Sequence, residues 1–296
     1  MGAADIVPGV SGGTVAFITG IYGRLLGSLR AFDINCIKRV MQGDIKGAWR
    51  HVDGNFLLPL VLGIATSIFT LARGISWVLV NYPVPLWSFF FGLILASALI
   101  LLRQIDVWSM DRLICLLLGS GIALWTALSP VLGVNAGLWG IFFSGFLAIC
   151  AMILPGISGS FILVLLGMYG TVLAAVKNLD IDIILVFIAG AAAGLMVFSR
   201  ILYWLLQRFH EATMAMLTGF LFGSLAVVWP WKRVLDWVVD SHGQLKAAQQ
   251  VPVFPQHYQE VTGHDPLVLL CVVLMVSGFL CLWLIESKWG GARLEL

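Results

Sequence analysis

The feature that most constrains this fold is a run without charged side chains that extends from Leu113 to Val176. Three further stretches hold one charged residue or none, namely Asn55 to Leu102, Ile183 to Gln207 and Ala212 to Trp231. These stretches can supply apolar spans of about 20 residues. Charged residues make up only 11% of the 296 residues, against about 25% in soluble domains. The chain is therefore predicted to be an all-α integral membrane protein.

The composition also argues against several kinds of site. The formal net charge is +2, and no basic face of the kind that binds nucleic acid is present, so a nucleic-acid partner is not expected. The cysteines show neither close pairing nor ligand spacing, and we interpret them as small core or lipid-facing residues. They are Cys36, Cys115, Cys150, Cys271 and Cys281. No catalytic residue, metal site or cofactor is predicted.

The sequence repeats internally. The stretch DIVPGVSGGTVAFITGIYG at residues 5–23 returns as ILPGISGSFILVLLGMYG at 153–170, with an offset of 147. The identical pairs are Pro8/Pro155, Gly9/Gly156, Ser11/Ser158, Gly12/Gly159, Gly20/Gly167, Tyr22/Tyr169 and Gly23/Gly170. A second match, with an offset of 127, pairs Gly63/Gly190, Arg73/Arg200, Trp77/Trp204, Gly92/Gly219 and Ser97/Ser224. Residues 1–130 and 138–296 are therefore predicted to be two repeats within one transmembrane domain, residues 1–296.

Basic residues in the loops predict that the two repeats are inverted. The predicted spans are 56–80, 86–102, 113–129, 183–206, 213–229 and 267–285. The polar loop 33–55 carries an excess of lysine and arginine, which places it inside, whereas the loop 230–266 falls outside. Each repeat would then hold a Pro/Gly-interrupted re-entrant element followed by about three transmembrane helices. This arrangement is typical of transporters with a site near the membrane midplane.

The two Pro-Gly-x-Ser-Gly motifs favour binding of an anion. Proline interrupts a helix, and serine is a preferred N-cap for the apolar segment that follows. A half-helix that starts inside the membrane presents free N–H donors and about half a positive charge, which attract an anion. The alternative is that glycine and serine only allow close helix packing. We favour packing for the GAAAG segment at 190–194 and anion binding for the two motifs.

Two arginines inside predicted spans, Arg73 and Arg200, strengthen the case for an anion site. An intramembrane arginine is costly unless it has a partner, and a planar guanidinium suits phosphate or carboxylate. The alternative is snorkelling to the nearest interface. Asp5 and Glu211 are candidates for a coupling group or an arginine counter-ion, or are solvated helix ends. The tyrosines of the two G-x-Y-G segments, Tyr22 and Tyr169, are predicted to contact a headgroup or anchor at an interface.

Together the two motifs resemble those of the bacterial polyprenyl-phosphate transporter family, PopT, over nearly the whole chain. The resemblance implies that undecaprenyl phosphate, the lipid carrier of cell-wall sugars, is moved from the outer to the inner leaflet of the bacterial cytoplasmic membrane. By motif, the headgroup site would comprise Asp5, Pro8, Gly9, Ser11, Gly12, Gly13, Thr14, Pro155, Gly156, Ser158, Gly159 and Ser160.

The residues and the resemblance together predict a lipid-phosphate flippase. Its phosphate would bind at the paired half-helix starts and the two arginines, while the prenyl tail stays in the bilayer. One alternative is an ion-coupled carrier of a small soluble anion. Another is a membrane lipid phosphatase with Ser11 or Ser158 as nucleophile, although no histidine within the apolar spans could act as its base. The sequence leaves open whether the chain forms a homo-oligomer.

Overall fold

A computed structural model describes residues 1–2, 11–105, 107–129, 137–239 and 245–289, and helices dominate the described part. The elements in chain order are α1 Gly12–Ile18, α2 Tyr22–Arg30, α3 Ile34–Met41, α4 Ile45–His51, α5 Gly54–Asn81, α6 Pro83–Arg103, α7 Met110–Leu128, α8 Leu138–Ile153, α9 Gly159–Leu165, α10 Tyr169–Asn178, α11 Ile181–Arg208, α12 His210–Val228, β1 Lys232–Val239, β2 Leu245–Pro252, α13 Pro255–Thr262 and α14 Val268–Trp289.

Five helices in the described part of the chain, α5, α6, α7, α11 and α12, are long and apolar enough to cross a membrane. Their ends lie close to those of five predicted spans, because a long apolar run leaves no other place for such a segment. The sixth predicted span, residues 267–285, corresponds to α14, whose described apolar segment is Val268–Leu284. The prediction of a multi-pass α-helical membrane protein is therefore confirmed.

The α1–α2 segment lies at the centre of the main core. Phe17, Tyr22 and Leu26 are buried there, in one apolar cluster with side chains of α6 and α12 such as Ile94 and Leu221. The apolar surfaces of α5 and α11 are instead mostly exposed, as expected of helices that contact lipid. The described part of the first interrupted motif, from Ser11 onward, is thus surrounded by protein.

Glycines allow the closest approaches between spans. A Cβ atom on Gly194 would lie 2.6 Å from the carbonyl oxygen of Phe146, and one on Gly223 would lie 2.5 Å from that of Ser120. Helix α11 therefore packs tightly on α8, and α12 on α7, through the small residues that membrane helices use for this purpose. The prediction that the GAAAG segment at 190–194 serves packing agrees with these contacts.

The secondary structure repeats at the two offsets found in the sequence. At an offset of 147, α1 matches α9, and α2 matches α10 to within one residue; at 127, α5 matches α11 and α6 begins where α12 begins. Gly20 and Gly167 occupy the same place in the turn that follows the short helix, with φ of 73° and 71°. Since left-handed backbone favours glycine, this turn explains one of the identical pairs.

The region predicted as a polar loop, residues 33–55, contains two short helices instead. Asp33 caps α3 by accepting hydrogen bonds from the amides of Asn35 and Cys36, and Asp44 caps α4 through the amide of Gly47. Aspartate is a preferred N-cap, and these two caps are the local signals that the loop prediction missed.

The long segment 230–266 is also structured. Strands β1 and β2 pair antiparallel, with Lys232 opposite Pro252 at the base of the hairpin, and α13 follows. The indole N–H groups of Trp229 and Trp231 donate to the carbonyl oxygens of Val253 and Pro266. This two-stranded sheet, outside the spans, was not predicted from the sequence.

Candidate functional site

The first motif begins α1 with a serine cap that also binds a second helix. The Ser11 hydroxyl oxygen accepts a hydrogen bond from the amide of Gly13 at 3.0 Å, as predicted for an N-cap, and its O–H donates to the carbonyl oxygen of Met152 at 2.9 Å. The amide of Thr14 donates to the Ser11 carbonyl oxygen at 2.9 Å. Ser11 therefore satisfies one free amide at the start of α1 and one free carbonyl oxygen at the end of α8.

Two more side chains join the first motif to the second. The Thr14 hydroxyl oxygen accepts a hydrogen bond from the amide of Gly156 at 2.9 Å, and the Tyr22 O–H donates to the carbonyl oxygen of Ile153 at 3.0 Å. Thr14 and Tyr22 have no exposed area. The structure thus brings residues 11–14 of the first motif against the turn of the second motif in the buried core.

Tyr22 does not lie where the sequence placed it. We predicted a tyrosine that contacts a headgroup or a membrane interface. This side chain is instead buried against Phe17, and its hydroxyl donates a hydrogen bond to the carbonyl oxygen of Ile153. A tyrosine can enter a core when its O–H finds a partner, and the open end of α8 supplies one. Its counterpart Tyr169 is partly exposed at the start of α10.

The second motif is built differently from the first. Ser158 is the N-cap residue of α9, but its side chain makes no capping hydrogen bond, and its hydroxyl pairs with that of Ser160 at 2.8 Å. The predicted capping role of Ser158 is therefore wrong, because its hydroxyl bonds to a neighbouring side chain and not to a helix amide. Among the described residues, the amides of Gly159, Ser160 and Phe161 have no hydrogen-bond partner.

Glycine shapes the turn that leads to these amides. Gly156 has φ of 85°, and a Cβ there would lie 2.8 Å from the carbonyl oxygen of Phe220. A narrow space of about 10 Å³ lies beside the turn, with Thr126 and Ser158 among its walls. This is about the volume of one water probe, so the space is closed to a larger group.

The chain turns sharply after the short helix α9. This helix packs against α8, and α10 leaves it at an angle of 109°. The start of α9 and Ser158 lie at its other end, in the turn that joins α8 to α9. Ser160, one residue into the helix, is exposed.

Arg200 lies elsewhere, in an open cavity of about 570 Å³. The cavity is lined by Gly27, Arg30, Ala31, Asp33, His51, Arg200 and Tyr203. The Arg200 guanidinium donates to the carbonyl oxygen of Phe32 at 3.4 Å, and the Arg30 guanidinium stacks 4.1 Å above the ring of Tyr203. The walls include neither Ser-Gly motif, so Arg200 is not brought together with them.

An acidic and a basic group close one side of this cavity. The His51 Nε2 atom lies 3.1 Å from a carboxylate oxygen of Asp33. The amide of Cys36, and then the contact with His51, lower the pKa of Asp33 to about 2. Sequence reasoning missed Arg30, Asp33, His51 and Tyr203 as site residues, because no local pattern links them.

The other predicted charges are also dispersed. Arg73 is exposed on α5 and makes no hydrogen bond or ion pair within the described part of the chain. Glu211 lies 3.8 Å from Arg112 rather than from Arg73 or Arg200, and its buried Oε2 atom accepts no hydrogen bond in the described residues. Glu211 is thus the counter-ion of a different arginine from the two predicted.

Part of the first motif falls outside the described residues, namely Asp5, Pro8 and Gly9. In the described ranges, no group of three or more histidine, cysteine, aspartate or glutamate side chains is placed to hold a metal ion. The geometry that remains is one of unbonded helix amides, paired hydroxyls and guanidinium groups. All of these are suited to holding an anion by hydrogen bonds.

Comparison with known proteins gives the chain a family. A family profile described as undecaprenyl phosphate translocase-like matches residues 1–246. A Vibrio cholerae protein named polyprenyl-phosphate transporter is 48% identical over 277 residues, which cover 94% of this chain and 90% of that protein. A Staphylococcus aureus protein of the same name is 29% identical over 259 residues, with 78% and 83% covered. No solved structure matches the chain significantly.

Proposed function

This chain belongs to the undecaprenyl phosphate translocase-like family, and from that premise we propose that it flips a polyprenyl phosphate across the bacterial cytoplasmic membrane. The resemblance carried by the two motifs is confirmed, and the family is one of transporters rather than enzymes. Undecaprenyl phosphate is the expected lipid. Its return to the inner leaflet would allow reuse of the carrier in peptidoglycan synthesis.

The observation that carries this proposal is the start of α9. Three successive amides there have no partner in the described residues, and the hydroxyls of Ser158 and Ser160 lie beside them. Inside a membrane an unsatisfied N–H costs several kcal/mol, so such a group needs a partner. A phosphate has enough oxygens to accept from all of them. We therefore place the headgroup at Ser158, Gly159 and Ser160 during its passage.

The first motif takes a supporting role in this conformation. The amides of Gly13 and Thr14 are bonded to Ser11, and the Thr14 hydroxyl is bonded to Gly156. The segment of Ser11, Gly12, Gly13 and Thr14 would contribute donors to the phosphate only after these bonds exchange. The two half-helix starts are then used in turn rather than together.

Alternating access is the mechanism we propose. If the repeats are inverted, the α8–α9 hairpin is re-entrant, and the two halves can rock about the buried contact between the motifs. Arg73 and Arg200 are related by the repeat and would attract the phosphate near opposite faces of the membrane. Shielding of the charged headgroup removes the main barrier to crossing, while the prenyl tail remains in lipid.

Leaflet-resolved transport of undecaprenyl phosphate in proteoliposomes tests the proposal. We expect wild-type protein to move the lipid and Ser158→Ala to slow it by about tenfold, the effect of losing one hydrogen bond to a charged group. Ser144→Ala is the matched control. Ser144 is a buried serine of α8 whose hydroxyl bonds only within its own helix, to the carbonyl oxygen of Ile141.

Three outcomes would contradict the proposal. Wild-type protein that leaves the lipid in its original leaflet would remove flipping altogether. Equal transport rates for Ser158→Ala and Ser144→Ala would contradict a phosphate site at the start of α9. Release of inorganic phosphate from the lipid would instead indicate hydrolysis by a membrane phosphatase.

A further inference from the structure

Two arginines from distant parts of the chain face the same open cavity. Arg30 is the last residue of α2 and Arg200 lies on α11, and both line the space of about 570 Å³. In the part of the chain that the structure describes, no carboxylate lies within ion-pair distance of either guanidinium. Two cations that face one cavity without a direct ion pair repel each other, and an anion bound between them would relieve that repulsion.

Both guanidinium groups contact protein groups but keep free hydrogen-bond donors. Arg30 stacks on the ring of Tyr203, whose hydroxyl accepts a hydrogen bond from Gln207 at 2.9 Å. Arg200 makes one long hydrogen bond, 3.4 Å, to the carbonyl oxygen of Phe32. Each guanidinium has five N–H donors, so most donors remain available for a ligand. The contact with the Tyr203 ring also restrains the Arg30 side chain, and a guanidinium can bind phosphate through two parallel hydrogen bonds.

The acidic group of the cavity is already occupied. Asp33 accepts hydrogen bonds from the amides of Asn35 and Cys36 and lies 3.1 Å from His51. Its carboxylate oxygens are therefore engaged by the start of α3 and by His51. Asp33 does not compete with a ligand for Arg30 and Arg200.

The helix that begins at this wall has the surface of a membrane-interface helix. On α3, Ile34, Ile37 and Met41 are exposed apolar side chains, and Lys38 and Arg39 are exposed basic ones. Amphipathic helices with apolar and basic side chains can lie at the boundary between headgroups and acyl chains. If α3 lies at this boundary, the cavity mouth next to it is at the depth of lipid headgroups.

We propose that this cavity is a separate binding site for the terminal phosphate of a polyprenyl phosphate, with Arg30 and Arg200 as its ligands. The inference rests on the proposed function and adds a second phosphate-binding site, outside the two Ser-Gly motifs. The volume is within the range of about 300–1,000 Å³ seen for small-molecule sites. The chemistry recognised is a phosphate dianion, which a lipid or free phosphate could supply.

Calorimetric titration of the purified full chain in detergent tests the site, with farnesyl phosphate as one probe and inorganic phosphate as the other. We expect farnesyl phosphate to bind about tenfold more weakly to Arg30→Gln and to Arg200→Gln, since each change removes charge-assisted hydrogen bonds. Arg30→Lys should lose less, because it keeps the charge and loses the planar fork. Binding of farnesyl phosphate by Arg30→Lys would also show that a protein changed at this position folds.

Matched controls remove one arginine from each of the same two helices. Arg24→Gln changes α2 at a residue paired with Asp53, and Arg208→Gln changes the end of α11. Neither residue lines the cavity. Both control variants should bind farnesyl phosphate as the wild type does.

The outcomes separate this site from the transport proposal. If wild-type protein transports the lipid but Arg30→Gln and Arg200→Gln bind farnesyl phosphate like the controls, the cavity site is overturned alone. If Ser158→Ala binds normally but transports slowly, two separate phosphate-binding sites are supported. If inorganic phosphate binds as tightly as farnesyl phosphate and is lost in the same variants, a lipid ligand is overturned.

Discussion

The side-chain oxygen of Thr14 accepts a hydrogen bond of 2.9 Å from the backbone N–H of Gly156. The two residues are 142 positions apart and belong to the two copies of one motif. Both are buried, so this amide depends on Thr14 for a partner. The junction between the copies is therefore specified by a polar contact in addition to apolar packing.

Thr14→Val removes this contact and keeps the side-chain shape. The buried amide of Gly156 would lose its partner, and we expect the variant to be about 1–3 kcal/mol less stable. Thermal unfolding in detergent measures the change. Thr218→Val is the control, because the buried Thr218 hydroxyl bonds only to the carbonyl oxygen of Met214 in its own helix. Equal unfolding midpoints for the two variants would contradict the role of Thr14.

The two motif serines should respond differently to the same substitution. Ser11 caps α1 and donates to Met152, so Ser11→Ala should cost about 1 kcal/mol of stability. Ser158 makes no capping bond, so Ser158→Ala should leave stability nearly unchanged while transport falls. Unfolding midpoints and proteoliposome rates measured on one preparation separate these effects. The reverse assignment would show that the second motif is the structural one.

Gly13 and Gly156 have no room for a side chain. A Cβ on Gly13 would lie 2.6 Å from the carbonyl oxygen of Ile153, and Gly156 has a left-handed backbone as well as a Cβ position 2.8 Å from Phe220. Alanine at either position should lower the yield of folded protein, measured by size-exclusion chromatography. Gly170→Ala should not, because nothing lies within 4 Å of its Cβ position. A normal yield for Gly156→Ala would show that the turn can adjust.

Lys232 predicts a pH dependence of stability. It lies outside the spans, 3.6 Å above the ring of Trp87, and burial lowers its pKa from 10.5 to about 7. Between these values the unfolded chain binds the proton and the folded protein does not, so stability rises with pH. Lys232→Met should flatten this rise in unfolding midpoints from pH 7 to 10, whereas Arg233→Gln should keep it. If Lys232→Met leaves the rise of stability with pH unchanged, other titrating groups cause that rise.

Local sequence patterns predicted the parts of the fold that depend on local chemistry. The spans followed from charge-free runs such as 113–176, because the bilayer leaves few alternatives for them. The matching bounds of α1 and α9 followed from the repeated motif. The caps Asp33 and Asp44 were equally local, and a search for capping residues would have found α3 and α4.

Long-range contacts could not be predicted in this way. Arg30 and Arg200 line one cavity because α2 packs on α11, and no sequence pattern relates residues so far apart. The pairing of Ser158 with Ser160 was missed for a different reason. Capping preference is an average over many helices, and a second hydroxyl two residues later changes the balance for one serine.

The repeated elements predict a second conformation of the transporter. At the two offsets, the counterparts of Arg30 and Arg200 are Lys177 and Arg73. If the two halves exchange conformations during transport, these counterparts should approach each other as Arg30 and Arg200 separate. A cavity would then open at the opposite face of the membrane.

Distances between spin labels test this exchange without changing those charged residues. One pair is placed at Ala31 and Trp204, and the equivalent pair at Asn178 and Trp77, in a cysteine-free background in nanodiscs. We expect a short and a long distance for each pair, with prenyl phosphate shifting the two populations in opposite directions. A pair within α11, at Ile181 and Trp204, should keep one distance. If the equivalent pairs also keep single distances with and without lipid, the halves do not exchange, and headgroup transfer must proceed through one fixed conformation.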